Sequence, residues 1–296
     1  QQHLFLWMQR EVGSWFAWII TVPIMLELFL MCTMTMRDVA YWTNITYLPT
    51  TPNIVIVSLL AFVCFYAVHS GIRSIAIVNG ILLPFVFLLG FFVATANIPE
   101  KKYSLLFPLL EHGYPPVLHG MMYAASGFIG IFYIVYLQHR LKTAIRLSSL
   151  FYTAAILIIL TLGPLMAAIA IFGPFEAARM RFPAFEEWRI VTFGHFLEHV
   201  DFLSIYQWLV GSFTRISLGM FLIPDLLGVG QGKKRTWLLI GLFVLLIGIS
   251  QIPISDKQFM DYLAVYYLPV TCLFNILLSI ILYLVSWKTR KEKVEA

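Results

Sequence analysis

The sequence predicts an all-α membrane protein, and three observations carry that prediction. Of 296 residues, 60% are apolar and only 12% are charged, whereas roughly a quarter are charged in ordinary soluble domains. The mean hydropathy is +0.85. Eight apolar runs are long enough, at about 20 residues, to cross a hydrocarbon core of about 30 Å: residues 13–36, 53–71, 75–96, 117–139, 147–172, 201–227, 236–254 and 259–287. Together they read as one transmembrane domain over 1–296.

In chain order, the first span opens beside Trp15 and Trp18, at an interface, and carries Pro23 and Glu27. Two shorter spans follow, then a segment at 97–116 rich in Pro, Lys and Glu. In the fourth span, Ser126, Gly127 and Gly130 interrupt the apolar run. Small residues there allow a close helix contact, or a broken helix whose freed backbone groups bind a ligand. Gly163-Pro164 marks a kink in the fifth span, as Pro23 and Pro224 do in theirs, because proline removes an internal hydrogen bond. Residues 182–199 read as an amphipathic surface helix. Pro183 sits in its first turn, and Glu186 and Glu187 lie at the positive end of its dipole. The sixth span carries Arg215, the seventh follows Lys233-Lys234-Arg235, and the eighth runs into a basic tail.

An even span count puts both termini on one side. With the N-terminus inside, twelve Lys and Arg fall inside and seven outside, with Arg215 in a span. The net charge of +5 is therefore loop charge, with no nucleic-acid motif behind it. Cys32, Cys64 and Cys272 sit singly in apolar runs and read as core residues. His195 and His199 have a spacing that can bind metal, but no HExxH accompanies them. No phosphate-binding loop or nucleophile elbow is present, so no enzyme, metal or cofactor reading has support.

Ionisable groups at mid-depth cost at least about 2.5 kcal/mol on insertion scales, which makes Glu27 and Arg215 candidate functional residues. Arg215 is 13 residues from Gly228, about 20 Å of helix at ~1.5 Å per residue, too far to snorkel to the interface. Both residues read as lining a cavity, either coupled to one another or each held by an unrelated polar contact.

The stretch from Met36-Arg-Asp-Val to Leu48-Pro-Thr-Thr-Pro-Asn, and the longer run from Phe172-Gly-Pro-Phe-Glu-Ala-Ala-Arg through Arg181-Phe-Pro-Ala-Phe-Glu-Glu-Trp-Arg to Trp208-Leu-Val-Gly-Ser-Phe-Thr-Arg-Ile-Ser, resemble the spore germination permeases. These are the B subunits of nutrient germinant receptors, in the amino acid–polyamine–organocation superfamily. The resemblance implies ten core spans in two inverted repeats, of which this chain carries eight and lacks the first two. It implies A and C subunit partners and a bacterial cell membrane, the spore inner membrane. Span 117–139 then matches the sixth core span, which places Ser126, Gly127 and Gly130 at a central ligand site. Ile129 and Ile131 depart from the acidic residue expected just after the small residues.

The resulting expectation is a nutrient-sensing receptor subunit for a small polar molecule such as an amino acid, with Ser126, Gly127, Gly130, Glu27 and Arg215 as ligand-binding residues. A cation- or proton-coupled amino acid transporter is the alternative. An assembly protein that has lost its ligand is a third reading.

Overall fold

The computed structural model describes residues 3–111, 113–141, 143, 145–192 and 200–295, with backbone alone for Ile129 and 289–295. Among them there are helices and turns and no strand. A short α1 (Leu4–Val12), unforeseen from the sequence, precedes α2 (Ser14–Thr46). Then come α3 (Asn53–Ser70), α4 (Ile72–Ala96), α5 (Pro115–Gly127), α6 (Tyr133–Leu137), α7 (Leu147–Arg179) and α8 (Pro183–Arg189). The series closes with α9 (Leu203–Leu226), α10 (Lys233–Ser250), α11 (Asp256–Tyr262) and α12 (Leu268–Glu295). The end of the bundle near residues 46–53 is called distal here, and the end near 139–146 and 228–235 basal.

Among the described residues seven helical stretches are long and apolar enough to cross a membrane, not the expected eight. The missing one is α10. Its 18 residues begin with Lys233, Lys234 and Arg235, which leaves a short apolar remainder.

The centre of the bundle is the pair α2 and α9, the two most buried of these stretches. They cross at Gly219. A Cβ there would come 2.6 Å from Cys32 Sγ and 2.9 Å from Met31 Cε, so only glycine allows the approach. The buried core around this crossing includes Ile24, Leu28, Met36, Ile216, Met220 and Leu222. α4, α7 and α12 turn most of their side chains outward, as helices facing lipid do.

Polar contacts fix α9 against α4. Thr214 donates to Asn79 Oδ1, Tyr206 to the Leu82 carbonyl at 3.0 Å and Gln207 to the Val86 carbonyl at 3.0 Å. These bonds satisfy polar groups that lipid would leave unpaired.

Four helix bounds differ from the sequence expectation. α2 runs ten residues past the apolar run ending at 36, because Val39, Ala40, Trp42 and Thr43 bury against neighbouring elements. In α7 the backbone leaves helical values at Gly173 (φ 81°, ψ 160°), just before Pro174, rather than at Gly163-Pro164. A positive φ followed by a residue without an N–H ends one helical segment and starts another. The last span is interrupted by a π-helical turn at Leu263–Tyr267. Pro269 explains it, since it cannot donate to the carbonyl of Val265 four residues back. Among the described residues, the surface helix expected at 182–199 is α8, which ends at Arg189. Residues 193–199, with His195, Phe196 and His199, lie outside the described residues.

α8 packs where the sequence placed an amphipathic face. Phe182 and Phe185 close on Trp42, which stacks on Trp208 with ring centroids 4.7 Å apart. Trp188 joins Val93, Val191 and Val200.

Candidate functional site

Of the cavities that border α2 and α9, two hold the mid-depth charges, and two ionic knots lie among the same helices. The larger cavity, about 530 Å³, is walled by α2, α9 and the α11–α12 stretch. Its polar lining is Thr35, Asp38, Arg181, Gln207, Ser212 and Arg215, with Trp208, Phe259 and Tyr267 as aromatic walls. The structure places Arg215 in the lining of this cavity. Among the described residues Arg215 has no hydrogen-bond or ion-pair partner, so its guanidinium is open to whatever enters.

Glu27 lies elsewhere. It lines a smaller cavity of about 240 Å³ between α2 and the α11–α12 stretch. The Asn275 amide donates to Glu27 Oε1 at 2.5 Å and to the Thr271 carbonyl at 2.8 Å. Direct pairing of Glu27 with Arg215 is thus corrected, since α12 supplies Glu27 with a neutral partner. Tyr267 lines both cavities.

Ser126, Gly127 and Gly130 line neither cavity. They sit at a change of helix type, where α5 ends at Gly127 and a 3-10 segment runs over Phe128–Phe132 before α6. A Cβ at Gly127 or Gly130 would meet nothing within 4 Å, so neither glycine serves close packing. Ser126 is buried. Its hydroxyl reaches the Met122 carbonyl at 2.9 Å and the Leu268 carbonyl at 2.5 Å. Leu268 lines the larger cavity, so the break leans on the cavity wall without forming it.

At the distal end Arg181 joins α2 to α11. It contacts Asp38 Oδ1 at 2.5 Å and both oxygens of Asp256 at 3.2 Å. Nearby, Arg37 donates to the carbonyls of Ile252 and Ile254, each at 2.6 Å, and so holds the chain after α10. At the basal end Asp225, 3% exposed, takes Arg140 at 2.5 Å and His139 at 3.0 Å, with Arg235 at 4.0 Å. His3 Nε2 lies 2.6 Å from the Asp225 carbonyl. His3, His139 and Asp225 bring possible metal-ligand atoms within 4.8 Å of one another. The two arginines already supply the positive charge there, so this cluster reads as an ion-pair knot.

The sequence did not single out Asp38, Arg181, Asp225, Tyr267 or Asn275 as site residues. Each lies beside a loop or in a plain apolar run, and only its partners from remote helices give it a role.

Fold and site together define a multi-pass α-helical membrane protein with a polar cavity between its two central helices. Residues 1–259 match the spore permease family, described as "Spore germination protein". The chain belongs to that family. It is 45% identical over 293 residues to spore germination protein XB of Bacillus anthracis, covering 99% of this chain and 82% of that one. It is 22% identical over 304 residues to spore germination protein KB of Bacillus subtilis (strain 168), covering 97% and 79%. No solved structure matches the chain.

Proposed function

We propose that this chain is the nutrient-sensing membrane subunit of a spore germinant receptor and binds a small polar nutrient of the amino acid class in the larger cavity. The observation that carries the reading is the guanidinium of Arg215, without a hydrogen-bond or ion-pair partner among the described residues, in a cavity that also holds Asp38. A planar guanidinium takes a carboxylate by paired hydrogen bonds, and an acidic group in the same space suits an ammonium. Trp208, Phe259 and Tyr267 supply apolar wall for a side chain.

Ser126, Gly127 and Gly130 act one step away from the ligand. Their break lets the α5–α6 stretch move against Leu268, and a ligand that favours one arrangement shifts its population. That shift would be read by the A and C subunits in the spore inner membrane. The reading takes these helices as part of a ten-span inverted-repeat fold with an inward C-terminus.

Spores carrying Arg215→Gln test it. Loss of a charge-assisted hydrogen bond to a ligand is worth about 1.5–3 kcal/mol, so the nutrient concentration for half-maximal germination should rise about 10- to 100-fold at unchanged protein level. An unchanged response would sink the assignment. Coupled transport is the second reading, favoured by the lone carboxylate of Glu27 at mid-depth. Uptake of labelled amino acid into proteoliposomes decides between the two.

A further inference from the structure

The Glu27 cavity is separate from the nutrient cavity and has a different chemistry. Its walls are Pro23, Leu26 and Leu30 from α2, facing Tyr262, Tyr266, Tyr267, Val270, Thr271 and Phe274. Glu27 is buried, and the nearest polar partner it has is the neutral Asn275 amide. A carboxylate at this depth with no cation beside it is costly, and a cationic ligand removes that cost.

The walls say which cation. An inorganic ion such as Ca²⁺ takes about 6–8 oxygen ligands, and these mostly carbon walls do not supply them. An organic ammonium needs one counter-charge and aromatic faces, and Tyr262, Tyr266, Tyr267 and Phe274 provide four rings. The rings of Tyr262 and Tyr266 lie 6.3 Å apart at 31°, forming one continuous wall. The volume of about 240 Å³ lies below the ~300 Å³ at which drug-sized pockets begin, so a short chain fits.

The mouth is apolar. Leu26, Tyr266 and Val270 are 56%, 62% and 63% exposed, and Tyr267 lines both this cavity and the one that holds Arg215. The π-helical turn Leu263–Tyr267, which swings Tyr266 and Tyr267 out of α-helical register, shapes this wall, as such turns often do at functional sites.

We propose that Glu27 and its aromatic walls form a second ligand site, which takes a short alkylammonium. This goes beyond the nutrient reading and does not depend on it.

The test is thermal unfolding of the full purified chain in lipid nanodiscs, titrated with butylammonium chloride. Butanol and sodium chloride at matched concentrations are the controls. Butylammonium should raise the unfolding temperature saturably, by about 5 °C near saturation, and the controls should not. Glu27→Gln should abolish the shift. That variant keeps an oxygen for the Asn275 amide, so its fold is preserved. Tyr266→Ala removes an exposed ring and should weaken binding about 2- to 5-fold. Arg215→Gln should leave the shift intact, which separates this site from the nutrient site. An undiminished shift in Glu27→Gln, or an equal shift with butanol or sodium chloride, would overturn the proposal.

Discussion

Glu187 shows how burial alone can tune one residue. It is 3% exposed on α8, and its Oε1 has no hydrogen-bond partner among the described residues. Burial pushes its carboxyl from 4.5 up to about 7, with Lys101 opposing the rise. The folded state then holds a proton that the unfolded state releases, between about 4.5 and about 7. Stability from this group is full below 4.5 and is lost as pH rises through about 7. The shift corresponds to at most roughly 3 kcal/mol. Thermal unfolding across that window should show wild type losing stability while Glu187→Gln stays nearly flat. Equal slopes would refute this account. Asp225 gives the opposite lesson, because it is buried and answered by Arg140 and His139. Asp225→Asn leaves Arg140, and the buried Arg235, without their anion. It should destabilise the protein by about 3–5 kcal/mol, seen as a lower unfolding temperature.

At the scale of elements, the crossing of α2 and α9 rests on a missing side chain. Gly219→Ala places a Cβ 2.6 Å from Cys32 Sγ and 2.9 Å from Met31 Cε. Overpacking of this kind costs about 1–3 kcal/mol. Cys32→Ala should restore part of that loss, because the two sites share one contact. A double variant whose loss is the sum of the single losses would mean that the crossing is set elsewhere. α8 illustrates a second point. A surface helix of seven residues has little stability of its own, and it persists by burying Phe185 and Trp188 against Trp42, Tyr47 and Phe92.

Over the whole molecule, the cavity that holds Arg215 is bordered by one ionic knot, and a second knot lies at the basal end. Asp38–Arg181–Asp256 ties the distal end, and Asp225–Arg140–His139 the basal end. A protein that must expose a central site can do so by loosening one knot while the other holds. Arg181→Gln should raise the rate at which a Ser212→Cys variant, with its thiol on the cavity wall, is labelled by a polar reagent, about several-fold. Labelling at the wild-type rate would show that Arg181 does not restrict entry. The same chemistry applied to Lys233→Cys reports topology. Strong labelling from outside would contradict an inward basal end.

Membrane residence and the helical class were legible in composition and run length, because a bilayer accepts helices by hydropathy and length, both local properties. Arg215 was legible for a related reason, since a charge that cannot reach water must face a cavity or a partner. The end of α2 at Thr46 was not legible. That extension has the polarity of a loop, and only Trp42 seated against Trp208 and Phe185 makes it helix. Ser126, Gly127 and Gly130 announced a break but not its place beside Leu268. Glu27 and Arg215 announced two charges but not two cavities, because Asn275 is 248 residues from Glu27 in sequence. Run length and polarity act along the chain and are written in it. Partners come from remote helices, and which residues share a cavity is decided only when α2, α9 and α12 pack.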